Sequence, residues 1–128
     1  MRYQFTMVRD CLKAEMVGRE TVEETQDFIA AVADEARKNN SSRILISVRR
    51  SRPIFRVEQY RISEQFRVLA ANPAVRVALV ADIDEIRAAH GYIEVLAAQN
   101  GANVRAFRDD GAAIEWLKAT QLQSHEKR

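Results

Sequence analysis

The stretch Arg43-Ile44-Leu45-Ile46-Ser47-Val48-Arg49-Arg50-Ser51-Arg52-Pro53 decides how this chain is read. Residues 44 to 48 are apolar at nearly every position, the pattern of a strand covered on both faces. Pro53 has no N–H for a ladder and cannot continue such a strand as an interior member, but it is well placed to open a crossover. In open α/β sheets ligands and partners are met just outside the carboxyl ends of the strands. The arginines that follow Val48 therefore point to a working edge.

Upstream, Tyr3, Phe5 and Met7 fall on one face of an alternating segment, and Leu12, Ala14 and Met16 on one face of another, with Arg9-Asp10 between them. This predicts two antiparallel strands, 3–8 and 11–18, joined by a tight turn and closed by Gly18. Thr21 and Glu24 stand at capping-box spacing, and Val22, Thr25, Ile29, Val32, Ala33 and Ala36 follow a helical rhythm, predicting a helix over 21–38. Downstream, Phe55, Ile62, Phe66 and Leu69 describe a helical face over 55–71 that Asn72-Pro73 stops. A second buried-type strand follows at 75–81, with Arg76 its single charge. Asp82 or Asp84 can cap a helix over 84–99 carrying Ile86, Ala89, Ile93 and Ala97, closed by Asn100-Gly101. A strand at 103–107 and a helix over 110–120, entered through Asp109-Asp110-Gly111 with Ile114 and Leu117 inward, complete the order.

That order is β-β-α-β-α-β-α-β-α. Crossovers of this length join parallel neighbours with right-handed connections, so the expected fold is a single-domain α/β unit with a mixed five-stranded sheet and four helices. It occupies residues 1–122, with 123–128 expected to fray because no apolar residue holds them. At 128 residues, 47% hydrophobic and 30% charged, the chain suffices for one core. No apolar run approaches the roughly 20 residues of a membrane helix, and the opening residues do not read as a targeting segment, so a soluble, cytoplasmic protein is expected.

Charge is unevenly spread. Between Arg43 and Arg76 eight arginines face only Glu58 and Glu64, a local balance of +6, whereas Glu20 to Glu35 holds six acids and no base. Such polarity steers partners and favours self-association of opposite faces, which makes a homodimer one expected outcome. Cys11, the single cysteine, excludes an intramolecular disulfide and a Cys-based metal site, and fits a small apolar filler beside the turn.

The opening hairpin ending in Gly18, the helix from Thr21-Val22-Glu23-Glu24-Thr25 to Arg37, the strand Arg43-Ile44-Leu45-Ile46 and the strand Val75-Arg76-Val77-Ala78-Leu79-Val80 together resemble the SpoIIAA-like branch of the STAS domains. The closing phrase Val104-Arg105-Ala106-Phe107-Arg108-Asp109, followed by Ala112-Ala113-Ile114-Glu115-Trp116-Leu117, carries the likeness furthest. The resemblance implies a non-enzymatic regulatory or binding module, related in fold to SEC14-type lipid binders. It also implies phosphorylation of a hydroxyl residue, preceded by Asp, at the start of the helix after the third strand. Here Ser51 is the only nearby hydroxyl after that strand and no Asp precedes it. Where the resemblance implies an Asp closing the strand, this chain has Ser47.

The candidate binding residues are Arg49, Arg50, Ser51, Arg52, Ile54, Phe55 and Arg56. Guanidinium groups make bidentate hydrogen bonds to phosphates and carboxylates, and an apolar strip rimmed by bases suits an amphiphile, so the expected partner is a protein or a small anionic or lipid-like ligand. Nucleic acid is the rival for the same arginines, disfavoured because exposed stacking aromatics are lacking there. An enzyme using His90 or Asp82 is a further alternative, although no nucleophile or base stands at a spacing that predicts a dyad. The glycines are scattered at 18, 91, 101 and 111, so no phosphate loop forms and no cofactor is expected.

Overall fold

The computed structural model describes residues 1–53, 71–72 and 74–126, with side chains as far as Lys118. Its strands are β1 (Arg2–Val8), β2 (Cys11–Val17), β3 (Arg43–Arg49), β4 (Arg76–Ala81) and β5 (Asn103–Phe107). Its helices are α1 (Val22–Lys38), α2 (Asp84–Gln99) and α3 (Asp110–Glu126). The helix predicted over 55–71 lies outside the described residues. The last helix continues past the 110–120 that its apolar spacing predicts.

The strands lie in the order β1-β2-β3-β4-β5, β1 antiparallel to β2 and every later pair parallel. Each crossover thus moves one place in the same direction. With right-handed connections, this puts α1 and α2 on one face, and among the described residues the other is packed by the last helix. On the first face Phe28 and Val32 of α1 and Ile86 and Ala97 of α2 pack on Ala14, Met16, Ile44, Val48, Val77, Leu79 and Val104. On the second, Ala113, Ile114 and Leu117 of α3 cover Cys11, Leu45, Ala78 and Val80. The rows flanking α3 carry Lys13, Glu15 and Arg49 on one side and Arg76 on the other, Arg76 lying over the Trp116 ring at 5.9 Å.

Local chemistry sets the element ends. Thr21 Oγ1 accepts the Glu24 N–H at 3.1 Å while the Glu24 carboxylate accepts the Thr21 N–H at 3.1 Å, closing the capping box. The same backbone donors, those of Glu20 and Thr21, hold the Glu24 carboxyl below its ordinary range. Gly101, at φ +80°, ends α2 with the Ala102 N–H returning to Ala97 O. Two expectations are corrected. The aromatic that anchors α1 is Phe28, 1% exposed and edge-on to Tyr3 at 5.6 Å, while Ala33, counted in the apolar stripe, is exposed. Neither Asp82 nor Asp84 caps α2: Ile83 holds the N-cap position without a side-chain bond, because the Asp82 carboxylate instead accepts the Arg50 N–H at 3.0 Å.

The β1–β2 turn places both Arg9 (φ 53°) and Asp10 (φ 68°) in the left-handed region, the two-residue I′ geometry that matches strand twist but disfavours residues with a Cβ. Replacing the pair, Arg9→Asn with Asp10→Gly, should stabilise the fold by about 1–2 kcal/mol in urea unfolding. A fall in the midpoint would show that these side chains do more than make the turn.

Candidate functional site

The carboxyl ends of β2 and β3 are stitched together where the arginine-rich segment begins. The Gly18 N–H reaches Arg49 O at 3.1 Å and the Arg52 N–H reaches Arg19 O at 2.7 Å. Arg19, 6% exposed, returns a guanidinium N–H to Arg52 O at 2.6 Å and another to Thr25 Oγ1 at 3.4 Å. Arg50 turns the chain at φ 48° with its N–H on Asp82. The backbone of this segment is pinned by these bonds, and Arg49, Arg50 and Arg52 are left with exposed side chains.

Ser51 is part of that stitching. Its hydroxyl donates to Arg49 O at 2.9 Å and accepts the Arg19 N–H at 3.1 Å, and the residue is 6% exposed. A hydroxyl so engaged is not presented to a ligand or a kinase, so Ser51 belongs to the frame behind the arginines. Ile54, Phe55 and Arg56 lie outside the described residues. Arg19 escaped the sequence reading because nothing local distinguishes a buried arginine next to a turn from a solvated one.

The structure adds a cleft of about 470 Å³ at the carboxyl ends of β3, β4 and β5, on the α3 side of the sheet. Ser47 and Arg49 of β3, Asp82 after β4, Arg87 of α2, and Arg108, Asp109 and Asp110 at the entry to α3 line it. The volume is in the range of about 300–1,000 Å³ usual for small-ligand sites. Asp109 is held as a cap, its carboxylate accepting the Ala112 N–H at 2.8 Å. Arg87 is fixed by Nε donating to Ala81 O at 3.0 Å and Nη1 to Asp84 at 3.2 Å. Arg49 pairs with Glu15 at 2.8 Å. Arg108 is exposed and has no hydrogen-bond or ion-pair partner among the described residues. At the bottom, Ser47 is 1% exposed and its Oγ makes no hydrogen bond to a described group.

The other chemically suggestive residues stand apart from this cleft. Cys11 is fully buried under α3, and burial pushes its thiol above the ordinary value against the opposing pull of Arg43 and Lys118, the reverse of what activates a nucleophile. His90 is buried on α2, where desolvation, aided by Arg19, lowers its pKa to about 4. Among the described residues no three His, Cys, Asp or Glu side chains gather as a metal site would need. None of the described helices is long and apolar enough to cross a membrane. Comparison with protein-family models, curated proteins and solved structures gives no match, so the chemistry of this edge rests on its own residues.

Two serines four residues apart should respond oppositely to loss of the hydroxyl. Ser51→Ala breaks a buried, doubly bonded group and should cost about 1–3 kcal/mol, whereas Ser47→Ala removes an unpartnered one and should be neutral or stabilising by up to about 2 kcal/mol. Equal losses on chemical denaturation would contradict the assignment. His90 supplies a pH dependence. Its folded pKa lies below the unfolded value, so the unfolded chain takes up the proton first, and stability present above pH 6.5 is lost as pH falls toward 4. The full effect is roughly 3 kcal/mol. It should be largely missing in His90→Gln when urea midpoints are compared across that window.

Proposed function

We propose that this protein is a non-enzymatic, STAS-like binding module that recognises an anionic group at the carboxyl ends of β3, β4 and β5. The observation that carries the reading is the convergence of Arg49, Arg87 and Arg108 on one cleft at that edge, with the exposed side chains of Arg50 and Arg52 beside it. Guanidinium groups held on a pinned backbone lose little freedom on meeting a carboxylate or phosphate, and Arg87 is already immobilised by its own hydrogen bonds. A concave site of this volume favours a small ligand over a flat protein surface. The resemblance to SpoIIAA-like domains agrees with binding as the mode of action. The burial of Ser51 favours control by ligand occupancy over control by phosphorylation at that hydroxyl.

Replacing Arg49, Arg50 and Arg52 with Gln tests the reading. Native mass spectrometry of the freshly purified parent should show a retained ligand carrying an anionic group that the triple variant lacks. Folding stability should stay within about 1 kcal/mol of the parent, because these are exposed charges. Undiminished capture by the triple variant would refute the arginine edge. A collapse of stability would show that the arginines are structural.

A further inference from the structure

The cleft holds two buried polar atoms that have no hydrogen-bond partner among the described residues. One is Ser47 Oγ. The other is Oδ1 of Asp110, whose Oδ2 is engaged by Lys13 Nζ at 2.8 Å. Both residues line the same cavity. A carboxylate oxygen only accepts, and a hydroxyl accepts as readily as it donates, so the group that would complete both is one carrying at least two N–H or O–H hydrogens. A plain oxyanion offers none and would meet the carboxylates of Asp82, Asp109 and Asp110 on the same walls.

The charge of the lining leads to the same conclusion. Arg49, Arg87 and Arg108 stand against Asp82, Asp109 and Asp110, so the cleft is formally neutral but internally polarised. Complementarity of that kind selects a ligand carrying both signs rather than either one alone. The anionic contact is already supplied by Arg108, which has no partner among the described residues.

We infer that the cleft takes a small zwitterion of the α-amino-acid class, its ammonium group on Ser47 Oγ and Asp110 Oδ1 and its carboxylate on Arg108. This rests on the reading of the carboxyl edge as the anion-recognising edge and goes beyond it by requiring a cationic donor on the same molecule. The ligand's ammonium group would supply the partner that the buried Ser47 Oγ lacks among the described residues.

Isothermal titration calorimetry of the full chain against each of the twenty L-amino acids tests the inference, with the amide and desamino analogues of the best binder, acetate and inorganic phosphate as single-charge probes. The expected result is saturable binding of at least one amino acid, weakened by at least about tenfold when either charge is removed, because a site built around a polar group rejects the analogue lacking it. Ser47→Ala and Asp110→Asn should each weaken binding by a similar factor. Ser47→Ala should melt no lower than the parent, so its loss of binding cannot be assigned to misfolding. Acetate or phosphate binding as tightly as the amino acid, and insensitive to Ser47→Ala, would overturn the zwitterion assignment while leaving the arginine edge standing. Absence of saturable binding by every amino acid overturns it too. Whether the broader reading survives in that case is decided by the Arg49, Arg50 and Arg52 triple variant in native mass spectrometry.

Discussion

Right-handed connection between parallel neighbours is the constraint on which the rest of this molecule depends. Because strands β2 to β5 are laid down in sequence order, the connections through α1 and α2 step the same way and pass over the same face. That face receives α1 and α2 and the larger share of the core. Among the described residues, the opposite face is covered by α3, which turns back across it after β5. Its first turn therefore sits at the carboxyl end of β5, beside the ends of β3 and β4. The cleft lies where the carboxyl ends of β3 and β4 meet the first turn of α3.

Elements whose ends are fixed by neighbouring residues were legible in the sequence. The Thr21–Glu24 box, the Asn100-Gly101 stop and the continuous apolar run of β3 each involve contacts within a few residues, and their bounds follow to within a residue or two. What depended on distant partners was not legible. Asp82 reads as a helix cap because caps are local, yet its carboxylate is taken by a backbone N–H of Arg50, 32 residues earlier. Ser51 reads as an accessible hydroxyl until Arg19 closes over it from the end of another strand. The arginine edge could be placed from the position of β3 alone. Ser47 and Asp110 could not be joined to it, because their meeting requires knowing which face α3 covers.

Ser47 and Ser51 show how position converts one residue type into two physical objects. Ser51 lies past the strand, where the backbone has left the ladder and has carbonyl and N–H groups to spare, so its hydroxyl is absorbed into the join between β2 and β3. Ser47 lies within the ladder, between Glu15 on β2 and Val80 on β4, where the backbone groups are committed to neighbouring strands. Its side chain stands off the sheet on the α3 face, and among the described residues no group bonds it.

The strand order also bears on how the chain comes together during synthesis. Neighbours in the sheet are neighbours in sequence, so each strand can dock on the one completed before it, and no finished pair has to be prised apart to admit a later member. The β1–β2 hairpin, closed by a two-residue turn, offers the first template. Each parallel addition then costs one loop closure of crossover length rather than a search across the whole chain. The last of the described elements, α3, is the one that packs on the second face. Until α3 docks, Leu45, Ala78 and Val80 lack its cover, and those three residues are where a partly folded copy is most open to association with another.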